Sequence, residues 1–169
     1  MSVNLSGIKG VIFDLDGTLV ESRLNFTQMR SDIGCPPDED ILTFVAQITC
    51  GKAQDKANDR ILQHELNDAR CAKWLFTGKQ MVDTVHEYGL PMAIVTRNCR
   101  AASNIKIANN NIPIDFVLTR EDAPAKPDPT ALLMVAEKWQ LQPKDCLYVG
   151  DYIYDQLAAE NAGMQWLLV

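Results

Sequence analysis

The stretch VIFDLDGTLV, at residues 11–20, joins a short β-branched and aromatic run to an acidic loop. Gly10 to Asp14 has the composition of a buried strand, and the acids and glycine that follow are typical of a loop leaving it. Similar apolar runs occur at 91–96, 146–151 and 165–169, with a shorter candidate at 116–119. Because these runs are continuously apolar rather than alternating, we predict a parallel sheet whose strands are covered on both faces.

Helical patterns separate these runs. They occur at 79–88, 129–139 and 152–162, and the alternation of strand and helix predicts an α/β fold with right-handed crossovers. Residues 21–76 break this alternation, since they contain no clear strand but two short helical patterns and a longer, polar helix or helix pair at 52–74. We therefore predict a helical insertion directly after the first strand.

Bulk composition excludes several classes of partner. The chain has 169 residues and a net charge of −6, so its surface repels nucleic-acid phosphates and acidic membranes. No run approaches the roughly 18 apolar residues of a membrane span, and the N-terminal residues do not resemble a signal peptide. The five cysteines are scattered and form no CxxC motif, which indicates reduced thiols and a cytoplasmic protein. The oligomeric state stays open.

Reactive side chains follow the predicted strands. Because ligands of an open parallel sheet bind beyond the carboxyl ends of its strands, these side chains can converge on one site. A single aspartate at a strand end is as often only a helix cap, so the prediction depends on the joint occurrence of the whole set. That set comprises Asp14, Asp16, Thr96, Lys126, Asp151 and Asp155.

Phosphoryl transfer requires groups of these kinds. A carboxylate such as Asp14 can attack phosphorus and form an aspartyl-phosphate, but the two anions repel each other unless a hard cation lies between them. Mg²⁺ prefers oxygen ligands, and Asp14 and Asp151 fit that role. Lys126 can neutralise a phosphate oxygen and Thr96 can donate to another. Asp16 can protonate the leaving oxygen and then activate water.

Four segments resemble the signatures of the haloacid dehalogenase superfamily. VIFDLDGTLV (11–20) looks like the first signature, and AIVTRN (93–98) is similar to the second. Lys126, in KPDP, resembles the third, and VGDYIYD (149–155) resembles the fourth. The matches span residues 11–155, and their combination is far more specific than any one of them.

This resemblance implies a fold and a division of the chain. It implies a Rossmann-like three-layer core with a parallel sheet, formed by residues 1–20 and 77–169. Residues 21–76 lie where the family places a helical cap over the active site, and they form a shorter cap than most. Arg23, Asn25 and Arg30 are polar groups of this segment that could reach a substrate, although a solvated helix face is the simpler interpretation.

The resemblance also implies a role for each site residue. Asp14 is expected to be the nucleophile and an Mg²⁺ ligand, and Asp16 the general acid and base, with its backbone carbonyl on the metal. Thr96 and the backbone amide of Arg97 are expected to bind the phosphate, and Lys126 to bind both nucleophile and phosphate. The two remaining acids are a second metal ligand, Asp151, and a supporting residue, Asp155.

The resulting functional prediction is an Mg²⁺-dependent phosphatase acting on a small phosphorylated metabolite. The acid at position 16 favours phosphoryl transfer, since the dehalogenase branch lacks an acid there. A sugar phosphomutase shares the aspartyl-phosphate step and stays an alternative. A phospho-receiver signalling module is less favoured, because receivers carry their phosphoacceptor on a mid-sheet strand, away from the acidic pair. A silent scaffold on the same fold is disfavoured by the cost of clustering carboxylates without a cation.

Overall fold

The computed structural model describes residues 4–169 and contains one five-stranded, wholly parallel sheet. The strands are β1 (Gly10–Phe13), β2 (Met92–Val95), β3 (Val117–Leu118), β4 (Cys146–Gly150) and β5 (Gln165–Leu168). Their order in the sheet is β3-β2-β1-β4-β5, so β1, which begins the VIFDLD stretch, lies at the centre. This arrangement confirms the predicted α/β fold. The first three residues of the predicted core range 1–20 lie outside the described residues.

Helices cover both faces of the sheet, as the continuously apolar strands predict. Successive residues of β1 point to opposite faces, so Val11 and Phe13 join one apolar cluster and Ile12 joins the other. Helix α4 (Phe76–Glu87) packs into the first cluster through Val82. Helices α6 (Thr130–Trp139) and α7 (Ile153–Ala162) pack into the second cluster, where Leu132 is fully buried.

Three helices lie between β1 and α4, where the helical insertion was predicted. They are α1 (Phe26–Ile33), α2 (Ile41–Ala46) and α3 (Gly51–Ala69). Their facing sides form a separate apolar cluster that includes Met29, Val45 and Ile61. Asn25 and Asp40 cap the first two helices with side-chain oxygens, which satisfies amides that a helix start leaves unpaired.

Two features of the fold differ from the sequence expectations. Helix α5 (Arg100–Asn110) follows β2, but its small and polar residues offer no wide apolar stripe and the patterning above does not predict it. The prediction that the last strand is covered on both faces is wrong. Trp166 is 42% exposed, because β5 is an edge strand with β4 as its neighbour.

The state of the cysteines and the character of the helices were also predicted from the sequence. All five cysteines are free, three of them buried, as the scattered spacing predicts. Among residues 4–169, no helix combines the length and the apolar character needed to cross a bilayer.

Candidate active site

An acidic cluster lies at the carboxyl end of the sheet, where β1 and β4 end side by side. Asp14 follows β1, Asp151 follows β4, and Asp155 lies in the first turn of α7. One carboxylate oxygen from each of the three lies within 4.8 Å of the others. The parallel pairing of Phe13 with Val149 sets this geometry, because it aligns the two strand ends.

Two glycines permit these carboxylates to lie so close to the backbone. A Cβ on Gly17 would lie 2.2 Å from Asp151 Oδ2, and Gly17 also has a φ of +79°. A Cβ on Gly150 would lie 2.4 Å from the Cβ of Asp155. Any other residue at either position would displace an acid of the cluster.

Lys126 is buried against this cluster and carries its counter-charge. Its Nζ lies 2.8 Å from Asp14 Oδ1 and 2.6 Å from Asp155 Oδ1. The same ammonium donates to the Tyr148 hydroxyl at 2.6 Å and to the Val95 carbonyl at 3.1 Å. A buried ammonium is tolerated when carboxylates and hydrogen bonds replace its water. Lys126 is therefore held in one place beside Asp14.

Asp155 has both of its oxygens engaged by donors. Oδ1 accepts from Lys126 and from the Tyr148 hydroxyl, the latter at 3.1 Å. Oδ2 accepts from the backbone amides of Asp151 and Tyr152 at 3.1 and 3.0 Å, at the start of α7. This carboxylate thus orients Lys126 and the loop that carries Asp151.

Burial and the closeness of other acids raise the pKa values of two carboxyl groups in the site. Burial raises the pKa of Asp14 to about 7; the positive charge of Lys126 opposes the rise and Asp155 adds to it. Partial desolvation and the charge of Asp155 raise the pKa of Asp151. Burial alone would lower the pKa of Lys126, but Asp14 and Asp155 raise it above its ordinary value. The lysine therefore stays charged while one nearby carboxylate is poised to ionise.

The donor set fits a hard divalent cation. All three groups of the cluster offer carboxylate oxygens, the ligand type that Mg²⁺ prefers. Since both oxygens of Asp155 already accept hydrogen bonds, Asp14 and Asp151 are the carboxylates better able to ligate a metal. A cation here would also favour the ionised forms of Asp14 and Asp151, whose pKa values are raised by burial first and by nearby negative charge second.

Asp16 is not a member of this cluster and is held by groups that follow β2. Its Oδ2 accepts from Asn98 Nδ2 at 2.7 Å, and its Oδ1 pairs with the ammonium of Lys106. Asp16 is two residues from Asp14 yet is 20% exposed in its side chain. Asp16 is nevertheless a lining residue of the same cavity as Asp14.

Thr96 and Arg97 follow β2 and line the same cavity. Thr96 is buried, and its Oγ1 accepts from the amide of Asn98 at 3.1 Å. The guanidinium of Arg97 is engaged elsewhere. It donates to the carbonyl of Lys126 at 2.8 Å, pairs with Asp40 at 2.5 Å and lies 4.7 Å above the ring of Tyr154.

A cavity of about 620 Å³ connects the acidic cluster to the helices α1–α3. Its outer wall is mixed, with apolar and aromatic side chains such as Leu24, Phe26 and Tyr152 beside charged ones such as Arg30. Two further ion pairs join α3 to later parts of the chain, one between Glu65 and Arg120 and one between Asp68 and Lys106. The helical insertion is thus tied to α5 and to the segment after β3, and its residues line the cavity that reaches the acidic cluster.

Sequence reasoning missed three polar residues that hold this site together, namely Asn98, Lys106 and Tyr148. Asn98 ends the AIVTRN segment and could have been suspected from its place two residues after Thr96. Tyr148 is the one phenol within β4, and a buried hydroxyl needs a partner. Lys106 offers no such signal, because a lysine in an unpredicted helix is usually solvated.

Comparison with known proteins gives a consistent picture. A family model described as haloacid dehalogenase-like hydrolase matches residues 11–169. An uncharacterized hydrolase of Saccharomyces cerevisiae is 34% identical over 94% of this chain and 76% of its own length. A phosphoglycolate phosphatase of Vibrio vulnificus is 31% identical over 92% of this chain and 81% of its own. The solved structure of a hydrolase from Pseudomonas syringae superposes with a TM-score of 0.77, at 20% identity, covering 95% of this chain and 84% of its own.

Proposed function

Since the chain belongs to the haloacid dehalogenase-like hydrolase family, we propose that it is an Mg²⁺-dependent phosphomonoesterase that works through an aspartyl-phosphate on Asp14. Membership of the family makes the chain a hydrolase, and relatives named as phosphatases support phosphatase activity. The metal, the residue roles and the substrate class are our proposals.

The observation that carries the proposal is the arrangement of Lys126 and the acidic cluster around Asp14. Lys126 Nζ lies 2.8 Å from Asp14 Oδ1, and Asp14, Thr96 and Lys126 line one cavity. A phosphate placed there would meet a nucleophile, an ammonium and a hydroxyl donor at once. Positioning and charge neutralisation of this kind are the main requirements of phosphoryl transfer.

The proposed reaction has two steps on one carboxylate. In the first, Asp14 attacks phosphorus, the bond from phosphorus to the leaving oxygen breaks, and Asp16 gives its proton to that oxygen. In the second, water attacks the aspartyl-phosphate, Asp16 takes a proton from the water, and the bond from Asp14 to phosphorus breaks. Lys126, Thr96 and the Arg97 backbone amide stabilise the negative charge on the phosphate oxygens throughout.

Asp14, Asp151 and the backbone carbonyl of Asp16 are proposed to hold Mg²⁺, with Asp155 in support. A bound cation supplies charge neutralisation between the nucleophile and the phosphate dianion. Asp14 has the greatest need of it, because burial raises its pKa to about 7 and a neutral carboxyl cannot attack. The all-oxygen donor set supports this choice of metal.

The proposed substrate is a small phosphorylated metabolite, with residues 21–76 acting as a cap that contacts its leaving group. The relative named as a phosphoglycolate phosphatase supports a small organic phosphate as the substrate class. The net charge of −6 argues against nucleic acid as a partner, and five free cysteines support a cytoplasmic location.

Hydrolysis of p-nitrophenyl phosphate in the presence of Mg²⁺ tests the central proposal. We expect Asp14→Asn to abolish turnover and to remove the phosphate that mass spectrometry detects on the Asp14 peptide after acid quench of wild type. EDTA should stop wild-type turnover and Mg²⁺ should restore it. Asp115→Asn, at an exposed position, is the matched control and should retain full activity.

The same assay separates the alternatives. Release of inorganic phosphate without a bisphosphate activator supports the hydrolase over a mutase. A phosphoprotein that persists without turnover would replace the hydrolase with a receiver, and metal-independent or Asp14-independent turnover would overturn the mechanism.

A further inference from the structure

Lys106 is a fully buried lysine that lies between the helical insertion and the active site. It is on α5, on the face that also buries Ala102 and Ser103. Its side chain is 0% exposed, and its Nζ contacts one oxygen of Asp16 and, at 2.7 Å, one oxygen of Asp68. Burying an ammonium is costly unless it is paired, so its two carboxylate partners stabilise this position.

The contact with Asp16 restricts the orientation of that carboxylate. Lys106 engages Oδ1 and Asn98 engages Oδ2 at 2.7 Å, so both oxygens of Asp16 are held by donors from one segment. A short side chain held at both oxygens keeps a single rotamer. Asp16 and Asp14 therefore have different lysine partners, because Lys106 pairs with Asp16 and Lys126 pairs with Asp14.

The contact with Asp68 connects Lys106 to the base of the helical insertion. Asp68 lies in the last turn of α3, and its Oδ1 accepts from the amide of Arg23 at 2.7 Å, where the chain leaves for α1. Nearby, the amide of Glu21 donates to the carbonyl of Lys73 at 2.8 Å. The outgoing and returning connections of the insertion therefore meet next to Asp68.

We propose that Lys106 is a positioning residue for Asp16 and that Asp68 couples it to the connections of the helical insertion. This inference rests on the proposed function, in which Asp16 is the acid and base. After Asp16 has given its proton to the leaving oxygen, Lys106 stabilises the remaining carboxylate until it takes a proton from water. A displaced insertion would withdraw Asp68 and leave Asp16 less firmly held.

The dependence of the rate on the leaving group tests this role. An alkyl phosphate needs a proton on its leaving oxygen, whereas p-nitrophenyl phosphate releases p-nitrophenolate, a stable anion that needs no proton to depart. We expect Lys106→Met to lower kcat/KM for the alkyl ester by at least about tenfold more than for the aryl ester, as impaired general acid catalysis requires. Asp68→Asn should show the same pattern with a smaller loss.

A double-mutant comparison tests whether Lys106 acts through Asp16. If it does, Lys106→Met should cause little further loss of alkyl-ester kcat/KM in an Asp16→Asn background. Arg100→Met is the matched control, since it removes another cation of α5, which pairs with Asp122, without touching Asp16 or Asp68. It should change the two esters by equal factors.

Folding is monitored by circular dichroism, because Lys106→Met removes the ion-pair partner of the buried Asp68 carboxylate. Should that variant unfold, Lys106→Met combined with Asp68→Leu replaces the buried pair by apolar groups, a change that proteins often tolerate. One outcome would overturn this inference alone. In it, folded Lys106 variants lose kcat/KM by equal factors on the alkyl and aryl esters, whereas Asp16→Asn still loses more on the alkyl ester. If Asp16→Asn itself shows no such dependence, the proposed role of Asp16 fails first.

Discussion

Replacing Asp14 with asparagine is expected to stabilise the metal-free protein increasingly as pH rises. Burial raises the pKa of Asp14 from 3.8 to about 7, so the folded protein binds its proton more tightly than the unfolded chain does. Ionisation therefore costs the folded state free energy as pH rises above the unfolded pKa, and the loss levels off above the folded pKa. Asparagine cannot ionise and avoids this loss.

The size of the effect follows from the displaced pKa. The shift from 3.8 to about 7 corresponds to about 4 kcal/mol of unfolding free energy once Asp14 is fully ionised. As pH rises from about 5 to about 8, the unfolding free energy of wild type should fall by about 2 to 3 kcal/mol through the ionisation of Asp14. Groups remote from Asp14 titrate equally in both proteins, so the change in the stability difference with pH reports Asp14 together with the groups coupled to it.

Urea unfolding in EDTA at the two pH values measures this difference. We expect the stability of Asp14→Asn minus that of wild type to grow by about 2 to 3 kcal/mol from the lower to the higher pH. Added Mg²⁺ should then stabilise wild type more than the variant, because ligand binding to the folded state raises its stability.

Asp115→Asn, which changes an exposed aspartate, should differ from wild type by the same amount at both pH values. A stability difference between Asp14→Asn and wild type that does not change with pH would refute the reasoning. It would mean that the Asp14 carboxyl is solvated or already neutralised in the metal-free protein.

Three further substitutions probe the site. Gly17→Ala should weaken Mg²⁺ binding in calorimetric titration, since the new Cβ would lie 2.2 Å from Asp151 Oδ2. The control is Gly89→Ala, which also has a positive φ but whose Cβ would have no atom within 4 Å, and it should bind Mg²⁺ as wild type does. Thr96→Val should lower kcat for an aryl phosphate by roughly 100-fold, because it removes a hydroxyl that donates a hydrogen bond to the phosphate. An unchanged kcat would exclude that hydrogen bond. Arg30 lines the cavity, and its Nε has no hydrogen-bond partner within residues 4–169. We therefore expect Arg30→Met to alter the relative kcat/KM values across a panel of phosphorylated metabolites, and an unaltered ranking would exclude contact between Arg30 and the leaving group.

The fold class could be predicted from sequence because local chemistry decides it. A run such as Val11 to Phe13, apolar at every position, suits a strand covered on both faces, and the alternation with helices restricts the topology to a parallel sheet. Once strands are parallel, acids at their carboxyl ends must lie along one edge. For this reason, the sequence alone predicts that Asp14 and Asp151 lie close together.

Tertiary structure alone decided which distant groups share a contact. The burial of Lys106 depends on α3 packing against α5, and its partners Asp16 and Asp68 are 90 and 38 residues away in the chain. The engagement of Arg97 by Asp40 and the exposure of Trp166 at the sheet edge are likewise products of packing and strand order. Sequence patterns report periodicity and local propensity, whereas burial and ion pairing depend on which surfaces meet after folding.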